Sequence, residues 1–371
     1  MQFIDLKKQQ EQIRPEIDQA IKTVLDHGKY IMGPEVAKLE EKLADFVNSK
    51  HCISCASGTD ALLLGLMAYG VGVGDAIFTT PFTFFATAEM IALTGATPVF
   101  VDVDPETYNI DPAKLIDAVE KVKQEGILNP KGIIPVDLFG LPADYDAILP
   151  FANEQGLFVL QDAAQAFGAE YKGKKCPSIG HVGITSFFPA KPLGCYGDGG
   201  AIFTDDDALA DIIRSLRVHG KGVDKYNNIR IGWNARMNTI QAAIVLEKLK
   251  IYPTEIEQRQ NVSMEYTTRM PNIKNQKIPT GLKSVWAQFC LESTERTAIQ
   301  NALKENDIPS VIYYVKPLHL LDAFSHLKYK KGDFPIAEKL SEEIFALPFH
   351  PYLQSSDIEK ICDVLLSCSS K

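Results

Sequence analysis

Hydrophobic positions follow two alternating patterns along the first half of the chain. Val36, Leu39, Leu43 and Phe46 recur at the spacing of one helix face, and Pro34 stands where a first helical turn accepts proline. Beyond them, short continuous apolar runs alternate with longer segments of helical periodicity. This alternation predicts strands and helices that follow one another in turn.

The short apolar runs predict strands at residues 52–56, 75–79, 97–103, 132–137 and 157–161. The segments between them predict helices at residues 59–68, 86–93, 112–123 and 145–155. Strands and helices that alternate at this spacing indicate parallel β-α-β units, and burial on both faces explains why the strands are continuously apolar. We therefore expect an α/β fold with a mostly parallel sheet flanked by helices. In such sheets, ligands bind at the carboxyl ends of the strands.

The pattern changes after residue 200 and predicts a smaller second unit. Helices are predicted at residues 209–218 and 238–270, with Pro253 as a position where the second of them could break. Strands at 285–291 and 310–314 and helices at 296–306 and 358–366 complete the prediction. The sequence thus predicts two domains, a large one over residues 1–250 and a smaller C-terminal α+β domain over residues 251–371.

Composition and charge exclude several classes of protein. Of the 371 residues, 46% are hydrophobic and 23% are charged, which is typical of a chain with a sizeable core. The formal net charge is −9, so nucleic acids and anionic membrane surfaces are poor partners. Uncharged runs are too short to span a bilayer, and seven cysteines do not form a disulfide framework. We therefore expect a cytoplasmic protein without a membrane or nucleic-acid partner.

The first candidate for chemistry is Ser57-Gly58-Thr59-Asp60, which directly follows a predicted strand and opens a helix. Free backbone amides and the helix dipole favour an anion at such a position, and the Thr59 hydroxyl adds a donor. Serine and threonine are also common helix caps, so a plain cap is the alternative interpretation.

A carboxylate and a lysine follow in the same half of the chain. Asp162 ends the apolar run LFVLQ, where a carboxylate needs a basic partner, a ligand cation such as a protonated pyridine, or a capping role. Lys191 lies between apolar residues and prolines, and desolvation there would lower the pKa of its amine and make it a nucleophile. An exposed lysine is the alternative. Together with Ser186 and the anion site, these groups match what pyridoxal phosphate requires.

Other motifs carry less chemistry. We expect Gly197-Asp198-Gly199-Gly200 to form tight turns of positive φ that present Lys191. Cys52 and Cys55 would face opposite sides of a strand, so they do not form a metal-binding pair. The histidines at 319 and 326 have no convincing metal-ligand pattern, and we expect no metal site.

Several longer motifs carry a family resemblance: Gly33-Pro34, SGTDAL, PFTFFAT, FVDVDPETYNID, QDAAQAFGA, SFFPAKPLGCYGDGGAIF, Arg236-Met237-Asn238 and Pro317-Leu318-His319. In these segments the chain resembles the DegT/DnrJ/EryC1/StrS family of nucleotide-sugar aminotransferases nearly from end to end. The resemblance implies a fold-type I transferase dependent on pyridoxal 5'-phosphate, with a large cofactor-binding domain and a smaller C-terminal domain.

The resemblance also implies roles for individual residues. Lys191 resembles the lysine that carries the cofactor covalently, and Asp162 the acid on the pyridine nitrogen. The other implied cofactor contacts are Gln165 near the ring hydroxyl, Phe84 over the ring face, Gly58, Thr59 and Ser186 around the phosphate, and Asn234 reaching the phosphate of a neighbouring subunit. A homodimer with shared active sites follows from the last of these.

Within this family, the lysine implies a transaminase, because members with a histidine in its place act as dehydratases. The stretch SFFPAKPLGCYGDGG most resembles enzymes acting on UDP-2-acetamido-2-deoxy-3-oxo-glucuronate in the biosynthesis of surface polysaccharide such as lipopolysaccharide O-antigen. The implied reaction moves an amino group from L-glutamate to this keto-sugar nucleotide. Arg230 is the candidate clamp for the sugar carboxylate, since a guanidinium binds it bidentately, and an exposed loop charge is the alternative.

Tyr313, Tyr314 and His319 are further candidate substrate contacts. Many relatives carry His-Tyr where this chain has Tyr313-Tyr314, and this departure affects contacts with the sugar rather than the cofactor chemistry. Two other functions stay open at this point. One is another fold-type I enzyme, such as a 4-keto-sugar aminotransferase, a sugar dehydratase or an amino-acid aminotransferase. The other is a non-catalytic scaffold that keeps the fold.

Overall fold

The computed structural model describes residues 1–224 and 226–369. Its helices are α1 (Leu6–Gln12), α2 (Arg14–His27), α3 (Pro34–Val47), α4 (Gly58–Ala68), α5 (Ala86–Leu93), α6 (Pro112–Glu125), α7 (Tyr145–Gln155), α8 (Asp207–Leu216), α9 (Thr239–Arg269), α10 (Arg296–Glu305), α11 (Pro335–Glu343) and α12 (Ser355–Ser369). Its strands are β1 (His51–Cys55), β2 (Asp75–Thr79), β3 (Thr97–Phe100), β4 (Asn129–Ile134), β5 (Phe158–Asp162), β6 (Glu170–Tyr171), β7 (Lys174–Lys175), β8 (Val182–Ser186), β9 (Gly200–Thr204), β10 (Leu282–Lys283), β11 (Phe289–Glu292) and β12 (Ile344–Leu347).

Seven strands form the central sheet in the order β1-β9-β8-β5-β4-β2-β3. The strands from β8 through β5, β4 and β2 to β3 run parallel, while β9 runs antiparallel to both β8 and β1. The expectation of a mostly parallel sheet flanked by helices is therefore confirmed. Each strand and helix predicted before residue 200 is present, with its bounds shifted by a few residues.

The connecting helices start and stop where their end residues allow it. The carboxylate of Asp111 accepts hydrogen bonds from the amides of Ala113 and Lys114 at the start of α6, and the helix ends at Gly126, whose φ is 63°. Apolar clusters lie on both faces of the sheet. Cys52 belongs to one cluster and Cys55 to the other, so the two thiols do face opposite sides as expected.

The C-terminal part is built on a second, smaller sheet. β11 and β12 pair antiparallel, and α9, α10 and α12 pack around them over a cluster rich in aromatic residues. α9 runs unbroken through Pro253, the position at which the sequence left a break possible. The strand expected at 310–314 is also absent: of these residues, Val311 forms only an isolated bridge to Ala346, on the side of β12 opposite β11.

We propose that the boundary between the two predicted domains lies within α9. Ala242, Val245 and Ile256 belong to a cluster on the central sheet, whereas Val262 and Tyr266 belong to the C-terminal cluster. The helix thus passes from one core to the other along its length. The last two residues of the predicted second domain, 370–371, lie outside the described residues.

The seven cysteines are free thiols. Within the described ranges, no group of three or more histidine, cysteine, aspartate or glutamate side chains could hold a metal ion. In the same part of the chain, no helix has the length and apolar character needed to cross a membrane.

Candidate active site

Three strands of the central sheet end at one edge, β1 at Cys55, β5 at Asp162 and β8 at Ser186. The pairing register places Cys55 and Ser186 on either side of Gly200 in β9, and it pairs Asp162 with Ile184, two residues before Ser186. The segments predicted from sequence to carry the chemistry are therefore neighbours at this edge.

The segment Ser57-Gly58-Thr59 forms a closely packed cradle at the start of α4. The Ser57 hydroxyl accepts a hydrogen bond from the Asp60 amide at 3.0 Å, so it caps the helix as the alternative interpretation held. The amides of Gly58 and Thr59 have no acceptor among the described contacts, since a first turn offers none. A Cβ atom at Gly58 would lie 2.6 Å from the Cβ atom of Ser186, so only glycine allows the helix to start this close to β8. Cap and anion cradle coexist here.

Asp162 is 4% exposed and lies at the centre of the edge. Thr87 Oγ1 donates to its Oδ2 atom at 2.8 Å, and the Ala164 amide donates to Oδ1 at 3.2 Å. Burial raises the pKa of the Asp162 carboxyl, and these two donors and the charge of Lys191 act against that rise. The carboxylate is thus oriented by neutral donors and faces a cationic partner. Sequence reasoning missed Thr87, although it lies within the quoted PFTFFAT motif.

Lys191 lies in a compact loop between β8 and β9. Its backbone amide donates to the Phe188 carbonyl at 2.9 Å, and the Cys195 amide donates to the Phe187 carbonyl at 2.7 Å. Burial lowers the pKa of the Lys191 amine, and Asp162 opposes this effect. Among the described contacts, the Lys191 ammonium has no hydrogen-bond partner. Its environment agrees with the expected nucleophilic amine rather than with an exposed lysine.

The glycines that follow Lys191 are needed because other chain segments approach them closely, and not because of unusual backbone angles. Gly197, Gly199 and Gly200 do not have positive φ, so the expected turns of positive φ are wrong. A Cβ atom at Gly200 would lie 2.5 Å from the Ser57 carbonyl carbon, and one at Gly199 would lie 3.0 Å from Met237 Cε. These residues let β9 run directly beneath the cradle.

Gln165 and Tyr314 form a second polar group at the edge. Gln165 Oε1 accepts from the Phe139 amide at 2.7 Å, and its Nε2 donates to the Tyr314 hydroxyl at 2.9 Å. Burial raises the pKa of Tyr314, so its hydroxyl stays protonated. Tyr313 packs at 6.4 Å from the ring of Phe3, outside this hydrogen-bonded pair. Phe84 is 58% exposed, in keeping with a ring face open to a planar ligand.

His319 differs from its expected role as a substrate contact. Its side chain is 0% exposed, its Nε2 lies 3.0 Å from Glu338 Oε1, and its ring meets Phe334 at 4.7 Å. A side chain without exposed surface has no area to offer a sugar in this conformation. Burial lowers the pKa of His319, and Glu338 opposes the shift. The contact with Glu338 connects the short helical turn Leu318–Leu320 to the first turn of α11.

Arg230 and Asn234 lie on the segment between α8 and α9, where both are exposed and neither has a described hydrogen bond to Lys191, Asp162 or Gly58. Arg230 Nη1 lies 3.4 Å from the Ser215 hydroxyl, and Asn234 Oδ1 accepts from Arg236 Nε at 2.9 Å. Within one chain, the edge therefore unites Lys191, Asp162 and the cradle, and leaves these two residues facing outward.

Each part of a pyridoxal phosphate molecule meets suitable chemistry at this edge. The two free amides and nearby hydroxyls suit a phosphate, the buried carboxylate suits a cationic ring nitrogen, and the amine of lowered pKa suits an aldehyde. The observation that supports the phosphate part best is the close approach at Gly58, where an added Cβ atom would lie 2.6 Å from Ser186 Cβ and push the helix start away from the Ser186 hydroxyl.

Comparison with known proteins gives the same picture. The sequence profile of the DegT/DnrJ/EryC1/StrS aminotransferase family matches residues 11–366. The UDP-2-acetamido-2-deoxy-3-oxo-D-glucuronate aminotransferase of Pseudomonas aeruginosa is 48% identical to this chain, over 98% of this chain and 99% of its own length.

Solved structures agree as well. The crystal structure of a DegT DnrJ EryC1 StrS aminotransferase from Brucella abortus has a TM-score of 0.98 and 49% identity, and the match covers 100% of both chains. The structure of NtdA from Bacillus subtilis with bound cofactor PMP has a TM-score of 0.88 and 28% identity, covering 96% of this chain and 82% of its own.

Proposed function

The chain belongs to the DegT/DnrJ/EryC1/StrS aminotransferase family of pyridoxal-phosphate-dependent sugar aminotransferases, and from that premise we propose its substrates. The amino donor is L-glutamate, and the acceptor is the 3-oxo group of UDP-2-acetamido-2-deoxy-3-oxo-glucuronate. The relative from P. aeruginosa, nearly half identical over almost the whole length, carries this substrate in its name. The observation that supports the chemistry most strongly is the half-buried Lys191, whose charge acts on the buried Asp162 at the same sheet edge.

In this proposal, the edge residues bind the cofactor as their chemistry suggests. Lys191 Nζ would hold the aldehyde carbon, with the carbonyl oxygen leaving as water, Asp162 would pair with the ring nitrogen, and Phe84 would cover the ring. Gly58, Thr59 and Ser186 would hold the phosphate, and the Gln165–Tyr314 pair would stand on the ring-hydroxyl side. When bound, pyridoxal phosphate supplies an electron sink for the carbon that loses a proton.

Lys191 is also the group that moves the proton in this proposal. The donor's amino group would first displace Nζ from the cofactor; because burial lowers the pKa of this amine, the released Nζ atom would accept a proton from the donor carbon and deliver it to the carbon on the other side of the transferred nitrogen. Thr87 and the Ala164 amide donate to Asp162 and favour its ionised form, which keeps the ring nitrogen protonated. Lys191 therefore moves the proton, while Asp162, oriented by Thr87 and the Ala164 amide, supplies a fixed negative charge.

We further infer a homodimer in which each subunit completes the other's site. The segment that carries Arg230 and Asn234 also exposes the apolar side chains of Val223, Ile229 and Ile231. Exposed apolar residues on one projecting segment are typical of an interface. In a dimer, Asn234 would reach the partner's phosphate cradle, and Arg230 would clamp the carboxylate of the sugar bound there.

The open alternatives have weaker support. A dehydratase of this family would have histidine at position 191. A scaffold would not need Lys191 and Asp162 buried together at a cost in desolvation. Free thiols throughout the chain agree with a reducing cytoplasm as its compartment.

The first test is a spectrum. Purified protein mixed with pyridoxal phosphate should develop a visible absorbance band that L-glutamate abolishes and the 3-oxo-glucuronate nucleotide restores. The variant Lys191→Ala is the control and should show no such band. A band in the variant equal to that of the wild type would overturn the role given to Lys191.

A second measurement tests the acceptor. Band recovery after glutamate should require much less UDP-2-acetamido-2-deoxy-3-oxo-glucuronate than the matched 3-oxo-glucosamine nucleotide, which lacks the carboxylate. Arg230→Gln should remove this preference while leaving the glutamate half of the reaction unchanged. Equal use of both nucleotides by the wild type would count against the uronate as substrate.

A further inference from the structure

A row of polar side chains, one half-buried and two buried, runs along α9 on the side that faces the Lys191 loop. Gln241, Lys248 and Glu255 follow one another at intervals of seven residues, which places them on one face of the helix. Lys248 and Glu255 are both buried. Packing alone would favour apolar side chains at these positions, so the polar ones indicate specific contacts.

Lys248 is the most unusual member of the row. It is 0% exposed, and its Nζ atom has neither a hydrogen-bond partner nor an ion pair among the described residues. The ammonium lies instead over the ring of Tyr196, 4.2 Å from its centroid. Burial lowers the pKa of Lys248 to about 8, while Glu255 and Cys195, the charged or titratable groups that face it, act in the opposite direction.

A buried ammonium held by a ring alone stabilises the fold poorly. Desolvation of a charge is costly, and a cation–π contact offsets only part of that cost. A methionine of similar length would fill the same space without a charge. The presence of lysine therefore points to a role beyond packing.

Tyr196 connects Lys248 to the Lys191 loop. The Tyr196 amide donates to Gln241 Oε1 at 2.8 Å, and Gln241 Nε2 donates to the Tyr196 carbonyl at 3.4 Å. One side chain of α9 therefore binds both the amide and the carbonyl of Tyr196. Tyr196 stands five positions after Lys191 in a loop that the Cys195 and Lys191 amides close on themselves. At Gly194 a Cβ atom would lie 2.6 Å from the Phe188 and Pro189 carbonyl oxygens, so the loop has little room to deform.

We propose that Lys248 is a positioning residue: through the ring of Tyr196, its ammonium fixes the loop that sets the place of Lys191 Nζ. The inference rests on the proposed function, because it gives a task to the residue that the cofactor would bond. Glu255 anchors the far end of the row, where its Oε1 accepts from Gln9 Nε2 at 2.8 Å and from the Tyr352 hydroxyl.

The test separates positioning from stability. Lys248→Met should lower kcat about tenfold with KM for both substrates unchanged, because a small displacement of the reacting amine is costly. The unfolding temperature of the cofactor-free variant should stay the same or rise, since a buried charge is lost. The pH midpoint of the visible band should also shift. Lys250→Met, at an exposed lysine two residues along the same helix, is the matched control and should match the wild type in each measurement.

Two outcomes would overturn the proposal. One is a Lys248→Met variant with the kcat and band of the wild type; the other is a fall in unfolding temperature with kcat lowered only in proportion to the cofactor bound. If this variant fails to fold, Tyr196→Leu removes the same contact from the other side, and Tyr196→Phe keeps the ring. Leucine should then reproduce the loss and phenylalanine should not; equal behaviour of the two would also refute the role. If the wild type itself forms no band with pyridoxal phosphate, the proposed function has failed and not this inference alone.

Discussion

The edge of the central sheet and the aromatic core of the C-terminal part are built on opposite principles. At the edge, polar groups have incomplete partners: the buried Asp162 accepts from neutral donors only, and the half-buried Lys191 ammonium has no hydrogen-bond partner among the residues described. In the C-terminal core, Tyr266, Phe289 and Phe349 stack closely, with Tyr266 and Phe289 at 4.9 Å. The Tyr266 hydroxyl there donates to the Pro348 carbonyl at 2.9 Å.

This difference separates the groups that perform chemistry from those that provide stability. A group whose hydrogen bonds are complete has no capacity left for a ligand. An unsatisfied group, in contrast, stabilises the complex when a ligand supplies the missing hydrogen bond. Substitutions at the edge should therefore change catalysis or cofactor affinity more than stability. Substitutions in the aromatic core should do the reverse.

The largest expected effect is at Lys191. Lys191→Ala should reduce kcat by roughly 10⁴-fold, because both the covalent bond and the proton carrier are lost. The unfolding temperature should change little, since removal of a partly buried ammonium relieves desolvation. Steady-state kinetics and thermal unfolding measure the two effects. Lys304→Ala, at an exposed lysine of α10, should behave as the wild type; a large loss of stability in the Lys191 variant would place that residue with the structural groups.

In the C-terminal aromatic core we expect the opposite, a loss of stability without a change in the cofactor site. Phe289→Ala should lower the free energy of unfolding by about 4 kcal/mol, because a buried ring is replaced by a cavity among Tyr266, Trp286 and Phe349. The fraction that remains folded should give the same visible band with pyridoxal phosphate. Urea unfolding measures the loss, with Met264→Ala, an exposed side chain on α9, as the control. A changed band in folded Phe289→Ala protein would contradict the separation of the two regions.

Gly58 tests the cradle. Gly58→Ala should weaken the binding of pyridoxal phosphate by about tenfold or more, since its Cβ atom would lie 2.6 Å from Ser186 Cβ and one of the two must shift. Titration of the visible band gives the dissociation constant. The matched control is Gly72→Ala, where the nearest atom lies 4.0 Å from the added Cβ atom. Unchanged affinity at Gly58 would mean that the phosphate lies elsewhere.

The smallest expected effect is at Thr87. Its hydroxyl lowers the pKa of Asp162, so Thr87→Val should raise that pKa further above its ordinary value. The neutral carboxyl then persists to higher pH, and the acid limb of the kcat profile should move upward by about one pH unit. Thr268→Val, an exposed threonine of α9, serves as control. A profile that does not move would show that Asp162 does not control this limb.

Much of the fold followed from apolar periodicity alone. The helices at residues 86–93 and 145–155 and the strand at 75–79 appear with the predicted bounds, because each has a clear apolar pattern between turn residues. β8 and β9 were not among the predicted strands, although each has five residues like β1 and β2. The strand expected at 310–314 was wrong, because pairing partners decide whether an apolar run joins a sheet.

The candidate site shows a similar division. The anion cradle, the acid and the lysine could be recognised because their residue types are unusual at the ends of apolar strands. Thr87, Tyr196 and Lys248 could not, since a threonine or lysine in a helix is ordinary until its neighbours are known. His319 was placed with the substrate by its motif, and only its packing against Glu338 and Phe334 showed it to be buried.

By itself, the sequence determined the α/β class, the order of the elements and the residues able to carry pyridoxal phosphate chemistry. These depend on local periodicity and on residue type, which are properties of short segments. The tertiary structure alone decided which side chains contact each other, such as Thr87 with Asp162 and Lys248 with Tyr196. Such pairs lie far apart in sequence, and burial and hydrogen bonding between them exist only once the chain has folded.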